Sequence, residues 1–296
     1  MSTANTFPAP GASSPIGIFD SGLGGLSVLR EVALLMPSER IVYFADNQHM
    51  PYGPRTLEEV RDFSTVIAAK LMQIPVKAIV VACNTASAAS LKHLRKVFPG
   101  IPFVGMEPAV KPAAAETRSG KVGVLATQAT FHGELFESVV ERFAADVEVI
   151  CQPCPGLAEF IENHSSDHPV LGSLLERFIQ PLLDKGVDRI VLACTHYPLV
   201  KDAIQRVAGP GVSIVDPSPA IARRTRQVLA ETAMLAGQGE GDMEFYASGD
   251  AQAFSEAASY ILGRPVRVAK NSFRWIPVQN EDFTATWRQR GGRGQG

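Results

Sequence analysis

Short runs of continuously apolar residues alternate along this chain with longer stretches in which apolar positions recur every three to four residues. IGIFD (16–20) precedes a helical period from Leu26 to Met36, IVYFAD (41–46) precedes Leu57 to Met72, and AIVVAC (78–83) precedes Ala86 to Val97. That succession predicts βαβ units. The strands are apolar on both faces rather than alternating, so helices should cover both sides of a mostly parallel sheet. The fold class is α/β.

The pattern then restarts with KVGVLAT (121–127), a helix over Phe131 to Phe143, VEVIC (147–151), a long helix over Val170 to Lys185, and RIVLAC (189–194). IVVACNT (79–85) lies on IVLACTH (190–196) at an offset of 111 residues, and IGIFDS (16–21) on VGVLAT (122–127) at an offset of 106. Self-similarity of this kind marks a duplicated unit. The expectation is two pseudo-symmetric α/β domains whose sheets face each other across a central cleft. Each presents a cysteine at the C-terminal end of a strand, where open α/β sheets bind ligands.

Composition narrows the class. Of 296 residues, 46% are hydrophobic and 20% charged, the balance of a folded globular chain. A net charge of −2 and a pI near 6.3 give no basic surface to attract nucleic acid. No apolar run approaches the roughly 20 residues of a membrane span, and no charged, then apolar, leader opens the chain. The expectation is a cytoplasmic protein with neither membrane nor nucleic acid as partner. Residues 1–15 and 288–296, rich in small residues, Pro, Gly and Arg, read as disordered tails.

Four cysteines are too few for a disulfide scaffold. Cys83 and Cys194 each sit where an apolar strand gives way to polar residues, in ACNTAS (82–87) and ACTHYP (193–198). A buried core thiol explains either one alone. Matching positions in a duplicated unit, with Asn84-Thr85 and Thr195-His196 directly following, ask for a joint role. Such a pair could form a disulfide, ligate a metal, or work as acid and base on opposite faces of one carbon. Pseudo-symmetry favours the last, because inversion at a stereocentre needs a base on one face and an acid on the other.

A free thiol has a pKa of about 8.5 and needs help to act near neutrality. Asp20, ending the first strand, and His196, two residues after Cys194, are the candidate helpers; Asp20 could also simply cap the following turn. DSGLGG (20–25) offers backbone N–H groups to an anion, a carboxylate as well as a phosphate, but lacks the last glycine of a dinucleotide fingerprint. MPYGPR (50–55) reads as a loop able to pin a small substrate or as a plain turn. Ser21, Asn84, Thr85 and Thr195 add hydroxyls and amides suited to an amino acid. CQPC (151–154) could be redox-active or half a zinc site, and has no second C-x-x-C. The other histidines, among them His49, His93, His132, His164 and His168, read as surface or capping residues.

DSGLGGLSVL (20–29), YFADNQHMPYG (43–53), ACNTAS (82–87) and ACTHYPL (193–199), in that order, resemble the glutamate racemases of the cofactor-independent aspartate/glutamate racemase superfamily, over about Ile16 to Val268. The resemblance implies interconversion of L- and D-glutamate without cofactor or metal, supplying D-glutamate for peptidoglycan. It implies that Cys83 serves the D face and Cys194 the L face, that Asp20 assists the first thiol, and that His196 assists the second. Glu162 takes the place of a further assisting glutamate, with Glu159 as the alternative. Substrate-binding pairs fall on Asp20-Ser21, Tyr52-Gly53, Asn84-Thr85 and Thr195-His196. Ala126 departs from the family's usual glycine before Thr127. The resemblance also implies a discontinuous first domain, 16–108 plus 218–287, around a second domain, 109–217. Aspartate or hydantoin racemisation, or amino-acid binding without chemistry, are the rival readings. Trp275 and Trp287 could pack a homodimer face or anchor the tail.

Overall fold

A computed structural model describes residues 9–131, 134–144 and 146–269, with the side chains of 134 and 135 left aside. Its elements follow the predicted succession. In the first half, β1 (Ile16–Asp20), α1 (Leu26–Leu35), β2 (Ile41–Ala45), α2 (Leu57–Leu71), β3 (Ala78–Val81), α3 (Asn84–Val97), β4 (Phe103–Gly105) and α4 (Val110–Glu116) alternate strictly. The second half runs β5 (Lys121–Ala126), α5 (Gln128–Phe131), α6 (Glu134–Phe143), β6 (Glu148–Pro153), α7 (Leu157–Asn163), α8 (Leu171–Asp184), β7 (Arg189–Ala193), α9 (Lys201–Ala208) and β8 (Ser213–Val215). The chain then adds α10 (Ser218–Glu231), β9 (Met243–Ala247) and α11 (Ala251–Leu262). The helix expected over Phe131 to Phe143 is met by α6 from Glu134 to Phe143, with residues 132 and 133 outside the described ones. No described helix is long and apolar enough to cross a membrane.

All strands pair in parallel, in two sheets ordered β4-β3-β1-β2-β9 and β6-β5-β7-β8. Reversed, the second order is β8-β7-β5-β6, which repeats β4-β3-β1-β2. The duplicated unit is therefore a four-strand βα repeat, to which β9 adds an edge strand on the first sheet alone. α10 packs on α1, and α11 joins the same core through Phe254 and Ala258, so the chain after Ser218 returns to the first sheet.

The repeat extends to packing. Gly17 on β1 and Gly123 on β5 are equivalent glycines, and a Cβ there would stand 3.4 Å from Leu71 and 2.8 Å from Leu182, which lie on equivalent helices α2 and α8. Each glycine lets a leucine press on the central strand, where the missing side chain is what close packing requires.

Strand alternation sends Ile79, Val81 and Cys83 into one core with α2 and α3, and Ile190, Leu192 and Cys194 into the equivalent core with α8 and α9. Both thiols thus emerge on corresponding faces at the C-terminal strand ends. At the opposite sheet edge, Lys77 pairs with Glu39, both buried, and its Nζ donates to the Ala12 carbonyl at 2.6 Å. The Pro15 carbonyl accepts the Lys77 N–H. Residues 12–15, read as tail, are tied to the sheet by these bonds. Residues 1–8, the tail at 288–296, and Trp275 and Trp287 lie outside the described residues.

Candidate active site

The two sheets meet at their C-terminal edges around a cavity of about 200 Å³. That is below the roughly 300–1,000 Å³ of drug-sized ligand pockets, a size that suits an amino acid rather than a nucleotide. Cys83 and Cys194 both line it, 5% and 6% exposed. So do Ser21, Tyr52, Gly53, Asn84, Thr85, Thr195 and His196, drawn from the segments that follow β1, β2, β3 and β7. No lysine or arginine is among the described lining residues.

Cys83 is the N-cap of α3, its Sγ accepting the Ala86 N–H at 3.4 Å. Burial pushes this thiol well above its ordinary range, and the neighbouring Asp20 charge pushes it further, with the two side chains within hydrogen-bonding reach. Asp20 is itself fully buried. Its Oδ2 accepts from Gly25 N at 2.8 Å and Gly22 N at 3.3 Å, and its Oδ1 from Thr195 Oγ1 at 3.4 Å. Burial raises the Asp20 carboxyl, against the pull of His196 and of backbone N–H groups. It both caps the turn and reaches the thiol.

On the other side, Cys194 Sγ lies 3.8 Å from His196 Nδ1, and His196 Nε2 lies 2.7 Å from Glu162 Oε2. Burial disfavours the imidazolium, but hydrogen bonds to Cys194 and Glu162, with their charges, outweigh it and hold His196 well above the usual histidine range. Glu162 comes from α7, and its two oxygens also accept the Leu23 N–H at 3.1 and 2.9 Å. It therefore joins the two halves. Glu159, one turn earlier, lines the cavity instead.

The glycine run serves this contact. A Cβ on Gly22 would meet Glu162 Oε1 at 2.4 Å, and one on Gly24 would meet His196 Nδ1 at 2.6 Å and its backbone N at 2.8 Å. The expected anion turn is corrected accordingly: its N–H groups at Gly22, Leu23 and Gly25 are taken by the protein's own carboxylates, Asp20 and Glu162.

Asn84 has both side-chain polar atoms buried with no hydrogen-bond partner among the described residues, and it faces the cavity. Buried polar atoms left in that state point to a ligand. Beside it, the hydroxyls of Thr85, Thr127 and Thr130 form a cluster at 2.9–3.4 Å. Neither threonine of the second half was singled out in the sequence. The signal was there, since the duplication sets Thr127 opposite Ser21.

The chain matches the Asp/Glu/hydantoin racemase family over residues 25–225. It belongs to that family. The glutamate racemase of Ectopseudomonas mendocina is 44% identical to it over 257 residues, covering 87% of this chain and 98% of the relative. Glutamate racemase isoform RacE1 from Bacillus anthracis superimposes with a TM-score of 0.82 at 34% identity, covering 90% of this chain and 99% of that one. The glutamate racemase of Francisella tularensis, solved with D-glutamate, superimposes with a TM-score of 0.78 at 26% identity, covering 87% and 96%.

The chain is an amino-acid racemase, and two sequence readings change in its light. The C-x-x-C pair splits: Cys151 is an exposed free thiol on β6, while Cys154 is buried and lines the racemase cavity. Burial pushes the Cys154 thiol up to about 12, so it stays protonated near neutrality. His49 is not a surface residue but bonds the buried Asp46 carboxylate at 2.8 Å and stacks on Phe63. His164, by contrast, is exposed and bonds the Phe160 carbonyl at a helix end, and His132 lies outside the described residues.

Proposed function

We propose that this racemase interconverts L- and D-glutamate by a two-thiol acid/base mechanism, with Cys194 serving the L face and Cys83 the D face. The observation that carries the reading is the placement of two buried thiols at equivalent strand ends, on one cavity of amino-acid size. In the L to D direction, Cys194 thiolate takes the α-proton and the Cys83 thiol delivers its own to the opposite face; the reverse direction exchanges the roles.

The protonation states fit that division. Burial and the Asp20 charge keep the Cys83 thiol protonated, ready to give a proton, and the Asp20 carboxylate is the acceptor beside it when the direction reverses. At Cys194 an imidazolium held by Glu162 lies 3.8 Å from the sulfur, placed to exchange a proton with it. The carbanion beside the α-carboxylate has no electron sink in these residues. Stabilisation falls to fixed donors in a dry cleft, where their fields act at low dielectric. Ser21, Asn84, Thr85, Thr195 and the Tyr52-Gly53 loop supply neutral donors and acceptors for the carboxylates and ammonium. The D-glutamate formed would serve peptidoglycan synthesis, as the sequence resemblance implies.

The test is incubation of the purified protein with L-glutamate in D2O, without added cofactor. Cα-deuterated D-glutamate, with little early label in the L substrate, is the expected result. Absence of both exchange and inversion on glutamate, with turnover of aspartate instead, would overturn the substrate assignment.

A further inference from the structure

We infer that Asp46 is a positioning residue that fixes the loop from Asn47 to Gly53 against the cavity, an inference that rests on reading Tyr52 and Gly53 as substrate-binding residues. Asp46 directly follows β2 and is fully buried. Its Oδ2 accepts from Tyr52 Oη at 2.5 Å, and its Oδ1 accepts from Ser248 Oγ at 2.7 Å and lies 2.8 Å from His49 Nδ1. Its own N–H donates to the Asp20 carbonyl at 2.9 Å. One carboxylate therefore gathers the middle of the loop, its cavity end and the end of β9, and is anchored to the strand that carries the Cys83 helper.

A carboxylate is the residue type this demands, because an ionised group with only acceptor sites can receive three donors at once. Burial first, then the Asp46 charge, holds the Tyr52 hydroxyl well above its ordinary range, so it remains a donor. Arg55 Nε braces the same loop on the His49 carbonyl at 2.7 Å. Among the described residues the second half has no equivalent. There the residue after β6 is Cys154, whose N–H makes the matching bond to the Ala126 carbonyl at 3.0 Å but whose side chain cannot gather a loop.

Tyr52 and Gly53 lie on the cavity wall and carry no part of the proton transfer in this reading. Loosening them should weaken ground state and transition state alike, raising KM while sparing kcat. Asp46→Ala should raise KM for both glutamate enantiomers by about tenfold or more, the scale of lost hydrogen bonds to a charged group, with kcat within about threefold. Asp46→Asn should recover part of the loss, since its amide oxygen still accepts from Tyr52 and its NH2 can donate to Ser248. Adding Asp46→Ala to Tyr52→Phe should cost less than the sum of the two.

Hydrogen exchange gives a readout that needs no substrate. In Asp46→Ala, or in the milder Asp46→Asn and Tyr52→Phe should the alanine variant fail to fold, amides of residues 47–55 should exchange faster while those of β1 and β3 stay unchanged. Unchanged exchange in 47–55, or a fall in kcat and thermal stability at constant KM, overturns the inference. A wild-type protein that leaves glutamate unconverted removes the proposed function, and the exchange result then decides the role of Asp46 by itself.

Discussion

Beside Cys83 stands a carboxylate from another strand; beside Cys194 stands an imidazole two residues along the chain, braced by a glutamate on α7. The scaffold beneath them is the same repeat, with β3 and β7 in equivalent places and a glycine-leucine contact behind each central strand. Duplication supplied the symmetry that inversion needs, and local substitution broke it. Where the first unit has Asp20, the second has Ala126; where the first has Thr85, the second has His196. The lesson is that the two thiols are symmetric in position and asymmetric in the groups that surround them.

The contact between the halves is the most vulnerable part of this arrangement. Gly24→Ala would drive a methyl group to within 2.6 Å of His196 Nδ1 and 2.7 Å of Thr195 Oγ1. Overpacking of this kind costs about 1–3 kcal/mol. Misplacing the His196 side by about an ångström should lower kcat by about a hundredfold. Steady-state kinetics and thermal melts check both, and wild-type kcat in this variant would show that the two halves adjust independently.

A smaller effect separates Asp20 and His196 by their pH behaviour. His196 is held above its unfolded value, so the stability it gives through Glu162 is fully present below about pH 6.5 and is lost as pH rises through the folded value. Melting curves should show Glu162→Gln falling furthest below wild type on the acid side, with the gap closing as pH rises. Asp20 is also raised, but as a carboxyl it is destabilised when it ionises: wild type loses stability as pH climbs from the unfolded value of 3.8 through the folded one. Asp20→Asn should therefore melt above wild type at neutral pH, converge with it near pH 4, and be slow as a racemase. Parallel pH profiles for the two variants would erase the contrast drawn here.

Much of this was legible in the chain. Continuous apolar runs gave the parallel strands, and the offset between IVVAC and IVLAC placed both thiols at equivalent strand ends. β4 and β8, three residues each, are too short to carry a pattern of their own and are held by their neighbours. The glycine run was legible as a turn offering N–H groups to an anion but not as to which group takes them, because Glu162 lies 139 residues from Leu23. Glu162 stood out only through family resemblance; its bond to His196 is a tertiary fact. Asp46 gave no sign of its partners, since Ser248 arrives just after β9, a strand without a counterpart in the repeat.

The central claim, that each thiol serves one face, is tested most directly by solvent exchange in single-thiol variants. With Cys83→Ala in D2O, Cys194 should still lift the α-proton of L-glutamate and return deuterium to the same face, labelling L-glutamate without forming the D enantiomer. Cys194→Ala should label only D-glutamate. Racemisation at the wild-type rate by either variant, or labelling of the same enantiomer by both, would contradict the account.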